Sequence, residues 1–379
     1  MKLPEKISLL TDGLPPNVIG GMQQHSLNLA GLISDLGINL DLYHPGPALF
    51  QEKGDTAGIS KIEEVIVPFP KLDRIPGHYL RESYQYSRLL LKAFKKKDAP
   101  DLIIAKGFTA WAFLAEKRKG KQKFPPVAVN FHGLEMYQSL PGFKSKLQSY
   151  LLKGPVKFNL LHADYVFSYG GKISDLLRSI GVPTKKILEM PAWLPKTDFV
   201  FPEPRPHDKL RFVFLGRWER RKGLLEIMEV LKVFPDPHPF EFHFIGDIPS
   251  GKQLNKKGLV FHGPIREKDE IRKLLTEMDV LVCSSWAEGM PNSILEGLQA
   301  GLAILATDTG ATGLMVSKEN GILLEEPTIL NITRGINEFL TVEKLQLLKK
   351  KMNSREKAKE FSEEKAKINL VNCLRTIGF

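Results

Sequence analysis

The sequence reads Glu288-Gly-Met-Pro-Asn-Ser-Ile-Leu-Glu296, with two carboxylates eight positions apart and a Gly-Met-Pro-Asn turn before a helix that we expect to begin near Pro291. At about 1.5 Å per helical residue, eight positions span about 12 Å. Glu288 should therefore lie in the loop at the helix N-terminus, and Glu296 about a turn and a half along the helix. Free N–H groups at a helix start favour an anion. The spacing predicts an elongated ligand, such as a sugar, a diphosphate and a ribose in a row.

The length and composition indicate a globular protein with two domains. The chain has 379 residues, of which 42% are hydrophobic and 26% charged, and it has no apolar run near 20 residues. It enters the first predicted strand without a signal-peptide pattern, and Cys283 and Cys373 cannot form a disulfide framework. We therefore expect a cytoplasmic protein without a membrane span.

The net charge is concentrated in one region. Residues 81–161 hold 16 Lys+Arg and 5 Asp+Glu, which accounts for the whole net charge of +11. Basic, amphipathic helical patterns of this kind suit an anionic membrane surface or an anionic substrate, and a solvated basic face is the alternative. We expect no nucleic-acid partner, because the sequence contains no recognised binding module.

Short apolar runs alternate with helical patterns in the first half of the chain. The runs that we expect to be strands are 7–10, 40–43, 65–67, 101–105, 127–130 and 165–168. The helices expected between them include 22–35, 78–97, 109–118 and 143–162. Such alternation is typical of a parallel sheet that is covered by helices on both faces.

A proline-rich segment then interrupts the pattern, with prolines at 191, 195, 202, 204 and 206. This composition predicts a stiff, extended linker. Beyond it the alternation restarts. The expected strands are 212–215, 242–245, 259–261, 280–283 and 303–305, and the expected helices are 223–233, 267–277, 291–300 and 328–340.

The predicted fold class is α/β, with two doubly wound parallel-sheet domains. We assign residues 1–195 to the first domain and 207–355 to the second. From residue 342 onward the charged pattern is helical, and we expect no further strand for these helices to connect. Because ligands of such sheets bind at the carboxyl ends of the strands, we expect a cleft between the two halves.

Two glycines follow the first strand. Gly20 and Gly21 lie at a strand-to-helix turn, where backbone N–H groups can approach a phosphate or a sugar closely. The dinucleotide-binding pattern G-x-G-x-x-G is not supplied here, and a plain flexible loop is the alternative. His25 would lie on the first turn of the next helix; a lone histidine there is more often structural.

A second candidate phosphate site follows strand 212–215. Gly216 and Arg217 end the strand, and Lys222-Gly223 lead into a helix. Arg can grip phosphate oxygens with two hydrogen bonds, and Lys adds a point charge. The spacing predicts a cationic clamp for an anion, with an ordinary basic loop as the alternative.

The remaining candidate is His132, which follows strand 127–130 within Asn130-Phe-His-Gly133 and so lies at a carboxyl end. A structural role is an equal alternative, and His262, in a similar setting, is interpreted as structural. The sequence contains no Asp-x-Asp pair and no His or Cys spacing that is typical of a metal cage. We therefore expect no metal and no cofactor, so that fixed cations would hold the charge of a departing diphosphate.

These motifs together resemble the retaining glycosyltransferases of family 4, which have the GT-B fold. The paired-glutamate motif is matched by Glu288 and Glu296, and the Gly-Arg…Lys-Gly segment by residues 216–223. The Gly-Gly-x-x-x-His element is matched by residues 20–25, and the His-Gly pair by His132-Gly133. The resemblance spans nearly the whole chain and is strongest over 210–324.

The resemblance implies roles for these residues. Arg217 and Lys222 would hold the donor diphosphate, Glu296 the ribose and Glu288 the donor sugar, with His132 beside the anomeric carbon. The implied catalytic residues are Glu288, Arg217, Lys222 and His132. The implied donor-binding residues are Gly20, Gly21, Gly216, Arg217, Lys222, Glu288, Gly289, Met290, Pro291, Asn292 and Glu296. The helix at about 356–379 would pack back on the first domain.

Two segments depart from the family pattern. Pro191-Ala-Trp-Leu194 replaces a common Asn-Gly-Val-Asp, and Thr309-Gly-Ala-Thr-Gly-Leu314 lacks the Glu of a common Gly-Gly-x-x-Glu. These changes bear on the identity of the donor and leave the reaction class as expected.

The resemblance implies a nucleotide-sugar glycosyltransferase that retains anomeric configuration. On family frequency we expect a uridine diphosphate sugar as donor, and a glycan or lipid-linked glycan of the cell envelope as acceptor. Peripheral attachment to the inner face of the cytoplasmic membrane through region 81–161 would follow. A nucleotide-sugar epimerase of the same fold and a non-catalytic nucleotide-sugar-binding protein are the alternatives.

Overall fold

The structure is a computed structural model that describes residues 2–16, 20–49, 62–72, 75, 77–120, 123–205, 207–235 and 238–379, without the side chains of Phe143 and Lys144. Three features of the sequence therefore lie partly outside the described residues. They are the loop at 17–19, Pro206 of the proline-rich segment, and the first two side chains of the basic helix at 143–162.

The first half of the chain forms a seven-stranded parallel sheet in the order β3-β2-β1-β4-β5-β6-β7. Its strands are β1 (Lys6–Leu10), β2 (Asn39–His44), β3 (Ile62–Ile66), β4 (Leu102–Lys106), β5 (Val127–Asn130), β6 (Tyr165–Ser168) and β7 (Ile187–Glu189). Its helices are α1 (Gly21–Asp35), α2 (His78–Phe94), α3 (Trp111–Arg118), α4 (Phe143–His162) and α5 (Lys172–Ile180). Two hydrophobic clusters cover the two faces of this sheet.

The second half forms a six-stranded parallel sheet in the order β10-β9-β8-β11-β12-β13. Its strands are β8 (Arg211–Leu215), β9 (Glu241–Ile245), β10 (Leu259–Gly263), β11 (Val280–Cys283), β12 (Ala303–Thr307) and β13 (Gly321–Leu324). Its helices are α6 (Leu224–Val233), α7 (Lys268–Thr276), α8 (Asn292–Ala300), α9 (Thr312–Met315), α10 (Ile329–Thr341) and α11 (Lys344–Ala358). The last helix of the chain is α12 (Glu363–Ile377).

The predicted fold class of two parallel α/β sheets is confirmed. The expected strands and helices are present, with ends that shift by a few residues. The sequence reading missed β7, β13 and α5. A run of three or four apolar residues carries too little periodicity to identify a strand, and α5 has only nine residues, between a glycine pair and Gly181.

The last helix packs on the first sheet. Leu370 and Leu374 of α12 are fully buried in the hydrophobic cluster that contains Ile7 and Leu9 of β1. Just before α12, the backbone N–H of Leu194 donates to the carbonyl of Phe361 at 2.8 Å. The chain therefore crosses from the second sheet back to the first at its end. Within the described ranges, no helix is long and apolar enough to cross a bilayer.

We predict that Leu370→Ala lowers the free energy of unfolding by about 2–5 kcal/mol, because it removes a buried side chain and leaves a cavity. Ile368 lies on the same helix with 53% of its surface exposed, so Ile368→Ala is the matched control and should change stability by under about 0.5 kcal/mol. Urea unfolding of both variants measures the difference. Equal losses would show that α12 does not pack as described.

Candidate active site

The two glutamates lie where their spacing predicts. Helix α8 begins at Asn292, after Pro291, and the Glu288 loop connects it to strand β11. Glu288 is therefore in the loop, at 5% exposure, and Glu296 is on the helix. Burial raises the pKa of Glu296 to about 7, against the nearby charges of Lys268 and Arg272.

Two cations hold the Glu288 carboxylate. Lys222 Nζ lies 2.5 Å from Oε1, and Arg221 Nη1 lies 3.2 Å from Oε2. The Ser285 hydroxyl donates a third hydrogen bond to Oε1 at 2.8 Å. Burial alone would raise the pKa of Glu288, but the charges of Lys222 and Arg221 outweigh it and lower that pKa below its ordinary value. The carboxylate is therefore ionised, and it accepts hydrogen bonds on both oxygens.

Arg221 is a site residue that the sequence reading missed. The expected clamp used Arg217 and Lys222, and the structure instead brings Lys222 and Arg221 together on Glu288. Arg217 is 60% exposed and pairs with Glu219 at 2.7 Å. Arg221 also lies 3.3 Å from Glu135 of the first half and 2.9 Å from Glu219. The sequence has a run of three cations before Gly223, but it does not indicate which of them turns toward a carboxylate.

Glycines let these loops approach closely. Gly223 has a φ of +72°, and a Cβ there would lie 1.8 Å from the carbonyl oxygen of Ser284. A Cβ on Gly289 would lie 2.0 Å from the carbonyl oxygen of His132. Any side chain at either position would push the loops apart, so both positions require glycine.

Contacts between side chains and backbone groups connect the two halves at the site. The Gln138 side chain donates to the carbonyl of Glu288 at 2.7 Å and accepts from the Glu288 N–H at 3.3 Å. The Ala192 N–H lies 3.1 Å from Met290 Sδ. The Glu288 loop is therefore positioned by residues of the first half, and no sequence motif indicated Gln138 for this role.

Two helix N-termini approach each other across the cleft. Helix α1 starts at Gly21 and α8 at Asn292, and a Cβ on Gly21 would lie 3.6 Å from Nδ2 of Asn292. The free N–H groups and the dipoles of both helices favour an anion between them. The arrangement gives Gly20 and Gly21 the setting that a phosphate requires.

His132 and His25 lie side by side between the first sheet and the Glu288 loop. Their rings are 5.0 Å apart and nearly perpendicular. Nδ1 of His132 bonds with the Tyr169 hydroxyl, and Nδ1 of His25 lies 3.1 Å from Lys106 Nζ. Burial, together with the charge of Lys106, holds the pKa of each histidine well below its ordinary value. Both imidazoles are therefore neutral, and the structure brings His25 against the candidate site residue His132.

The segment at 191–194, which differs from the family pattern, also lies beside these two histidines. The ring of Trp193 packs edge-on against His25 at 4.9 Å. His262, interpreted from the sequence as structural, bonds with His243 at 3.0 Å on the second sheet. Over the ranges that the structure describes, no group of three or more His, Cys, Asp or Glu side chains is arranged to hold a metal ion.

Two family models match the chain. One is described as Glycosyltransferase Family 4 and matches residues 19–191, and the other as Glycosyl transferases group 1 and matches residues 209–341. TuaC of Bacillus subtilis, a protein named for teichuronic acid biosynthesis, is 27% identical over 134 residues, which cover 35% of this chain and 34% of TuaC. The chain thus spans about a third of the length of such relatives.

Solved structures resemble the chain over nearly its full length. Sucrose-phosphate synthase from Thermosynechococcus elongatus matches with a TM-score of 0.79 at 15% identity, covering 98% of this chain and 99% of the other. Anabaena HepE in complex with UDP-glucose matches with a TM-score of 0.68 at 15% identity, covering 98% of this chain and 99% of the other. At these identities the likeness shows a shared fold.

We predict that Glu288 contributes to the pH dependence of stability. Its pKa is lowered in the folded state, so the stability it contributes is present above its unfolded value of 4.5 and is lost as pH falls through the lower folded value. Glu288→Gln should therefore flatten the dependence of unfolding free energy on pH below about 4.5, by up to about 1.4 kcal/mol per pH unit. Urea unfolding from pH 3 to pH 6 measures it. An unchanged acid slope would contradict the ion pairs.

Proposed function

The chain belongs to the family 4 glycosyltransferases of group 1, with the GT-B fold, and we propose that it transfers a sugar from a uridine diphosphate sugar to a hydroxyl acceptor with retention of configuration. The observation that carries this proposal is the ionised Glu288, held by Lys222 and Arg221 beside two converging helix N-termini. One place thus offers acceptors for sugar hydroxyls and donors for a diphosphate. The preference for uridine is supported by the complex of the similar protein HepE with UDP-glucose.

The proposed reaction breaks the bond between the anomeric carbon and the diphosphate oxygen. Negative charge grows on the diphosphate as it leaves, and in our proposal Lys222, Arg217 and the start of α8 stabilise that charge. Such preorganised donors stabilise a transition state because they need not reorient as the charge develops. Arg217, at 60% exposure beside the cleft, is free to swing onto a phosphate from its surface pair with Glu219.

Retention requires that the acceptor attack the face from which the diphosphate departs, or that a covalent intermediate form. Glu288 is poorly suited to be a nucleophile, because two cations and a hydroxyl engage its oxygens and its pKa is lowered. We therefore favour front-face displacement. In it Glu288 accepts hydrogen bonds from donor-sugar hydroxyls, and His132 lies beside the anomeric carbon.

We place the acceptor on the first half of the chain, which faces the donor loops and carries the excess positive charge. A glycan or lipid-linked glycan of an envelope polysaccharide is the class that we propose. The support is the likeness to TuaC, whose name refers to teichuronic acid biosynthesis, and the basic region 81–161.

We predict that Lys222→Ala lowers the rate of donor turnover per folded molecule by about 100- to 1,000-fold, because it removes the cation that holds Glu288 and that our proposal assigns to the developing charge. Lys232→Ala is the matched control, since Lys232 lies at the end of α6 and is 49% exposed. Release of nucleoside diphosphate from a panel of nucleotide sugars measures the turnover. Near-normal turnover in the Lys222 variant would overturn the proposed site.

The same panel separates the alternatives. A glycosyltransferase releases nucleoside diphosphate faster when the correct acceptor is added. An epimerase instead converts the donor sugar without an acceptor, and a binding protein shows saturable binding without any product. Calorimetry with uridine and guanosine diphosphates then identifies the base.

We also propose peripheral attachment to an anionic membrane through helix α4. Leu147, Tyr150 and Leu151 occur at helical spacing and are exposed by 54%, 71% and 54%. The exposed lysines of the same helix include Lys146, Lys153 and Lys157. A helix with exposed apolar side chains among lysines suits the interface of an anionic bilayer.

Helix α4 is a better candidate for this contact than the lysine cluster at 95–97. Lys95 pairs with Glu116 at 2.7 Å, and Lys97 pairs with Glu63, so two of the three charges are already partnered. A membrane contact by this cluster would have to compete with those pairs. The lysines of α4 carry the contact in our proposal, and the cluster at 95–97 adds to it.

We predict that Leu147→Ser/Leu151→Ser reduces binding to vesicles of phosphatidylglycerol and phosphatidylcholine by about tenfold or more, because each buried CH₂ contributes about 0.8 kcal/mol. The control is Leu225→Ser/Val233→Ser, which changes two exposed apolar residues of the second half. Co-sedimentation at low and high salt measures binding. Absence of wild-type binding to anionic vesicles at low salt, or equal binding by both variants, would contradict the proposal.

A further inference from the structure

Lys106 is a buried cation without a carboxylate partner. It ends strand β4 with 1% of its surface exposed, and its side-chain nitrogen lies 3.1 Å from Nδ1 of His25. Within the part of the chain that the structure describes, no carboxylate oxygen lies within the 4.0 Å of an ion pair. A buried ammonium without such a partner is strongly unfavourable. Burial accordingly lowers the pKa of Lys106 to about 7.

Another buried lysine shows what a structural role looks like in this chain. Lys351 is also 1% exposed, but its nitrogen lies 2.9 Å from a carboxylate oxygen of Asp279 and bonds to the carbonyls of Met278 and Arg205 at 2.9 and 2.6 Å. All of its hydrogen-bonding capacity is used by the fold. Lys106 has a histidine nitrogen instead, so its position needs an explanation other than stability.

The histidine beside Lys106 packs against His132, which the proposed function places beside the donor sugar. His25 is 7% exposed, and its ring packs edge-on against those of His132 and Trp193. The Nε2 atoms of both histidines are buried and have no hydrogen-bond partner among the described residues. Two neutral imidazoles thus each have Nδ1 engaged and Nε2 available, and a ligand is the partner that the fold does not supply.

We propose that Lys106 is a positioning residue that fixes the tautomer of His25, so that His25 presents an N–H to the donor. The protonated amine of Lys106 can only donate, which makes Nδ1 of His25 an acceptor and leaves the imidazole proton on Nε2. His25 Nε2–H then donates to an oxygen of the donor sugar or of its phosphate. This inference rests on the proposed function for the identity of the ligand, and on the Lys106–His25 contact for the tautomer.

The control of the His25 tautomer depends on pH, because the neutral amine of Lys106 can accept a hydrogen bond. Above its pKa of about 7, Lys106 no longer forces the proton onto Nε2, and the other tautomer becomes accessible. The titratable groups packed around the pair are His25 from α1, His132 from the loop after β5, and Tyr169 from the loop after β6. Asp12, beyond the end of β1, accepts from Gln23 at 3.3 Å. We therefore expect Lys106 to control the tautomer in the neutral range.

The direct test is the tautomer of His25, followed by ¹⁵N NMR of the imidazoles in the full chain without ligand. The wild type should show His25 protonated on Nε2 at pH 6, and a growing Nδ1–H fraction as pH rises through about 7. Lys106→Met should show a mixture at every pH. Lys106→Gln, whose side-chain amide can both donate and accept, should show a mixture of tautomers that does not change with pH. A His25 spectrum that is the same in the wild type and in Lys106→Met would overturn the proposal.

Activity gives a second, independent readout. The free enzyme's kcat/KM for the nucleotide sugar should fall as pH rises through about 7 in the wild type. At pH 6, kcat/KM of Lys106→Met should be about 10- to 100-fold lower than that of the wild type, which is the usual effect of removing a residue that orients a functional imidazole in metal sites of other proteins. The kcat/KM of this variant should not fall as pH rises through about 7. Lys106→Gln keeps a hydrogen-bond partner for Nδ1 of His25 without fixing the tautomer, so it should recover only part of the loss, also without the fall. A fall that persists in both variants would assign it to another group.

Stability distinguishes this role from a structural one. Lys106→Met removes a buried charge that has no ion pair, so the Tm should stay the same or rise. Lys351→Met should lower the Tm, because it removes the lysine paired with the buried Asp279 carboxylate and leaves that charge only its hydrogen bonds with His207 and the Arg211 N–H. A Tm that falls equally in both variants would make Lys106 structural. If Lys106→Met does not fold, the NMR titration of His25 in the wild type and in Lys106→Gln still tests the role of Lys106. If no nucleotide sugar reacts, the proposed function fails, while the NMR result still stands for Lys106.

Discussion

Glu288 can be both ionised and buried only because Lys222 and Arg221 lie against it. An unpaired charge at that depth would be expelled or neutralised, and removing one member of a buried pair typically costs about 3–5 kcal/mol. The pairs therefore hold the loop before α6 against the loop before α8. Gly223 is required for the same contact, since a side chain there would collide with Ser284. This local constraint sets the shape of the donor side of the cleft.

The same loop couples the two halves of the chain. Gln138 bonds both backbone groups of Glu288, and Gly289 packs against the carbonyl of His132. A change in the angle between the sheets would therefore alter the position of the proposed sugar-binding carboxylate. In the proposed reaction, closure of the cleft therefore also assembles the site, and it excludes the water that would hydrolyse a donor.

The fold was largely predictable from the sequence, because buried parallel strands are continuous apolar runs and the glycine-rich turns follow them. Gly21 and His132 are candidates for this reason: each follows a strand of the first sheet, on the side where topology brings functional residues together. Arg221, Gln138 and Lys106 were not found. Their roles depend on which way a side chain turns and on what it meets from a distant segment, and neither periodicity nor spacing contains that information. In the sequence, Lys106 looks like an ordinary lysine at the end of a strand, and nothing there indicates that it is buried.

The charges around Glu288 suggest how the site changes when a donor enters. Arg217, Arg221 and Lys222 face Glu219, Glu288 and Glu135, so the three cations are already balanced by three carboxylates. A diphosphate adds negative charge that this set does not balance. Burial already raises the pKa of Glu135, and that carboxylate also feels the charges of Glu288 and Glu219. The charges of Arg221 and Lys222 oppose this rise, but the pKa of Glu135 stays raised while that of Glu288 is lowered, so Glu135 takes up a proton more readily than Glu288. Its protonation would remove one of the three carboxylates that face Arg221, while the pairs of Arg221 with Glu219 and Glu288 and the pair between Lys222 and Glu288 would remain.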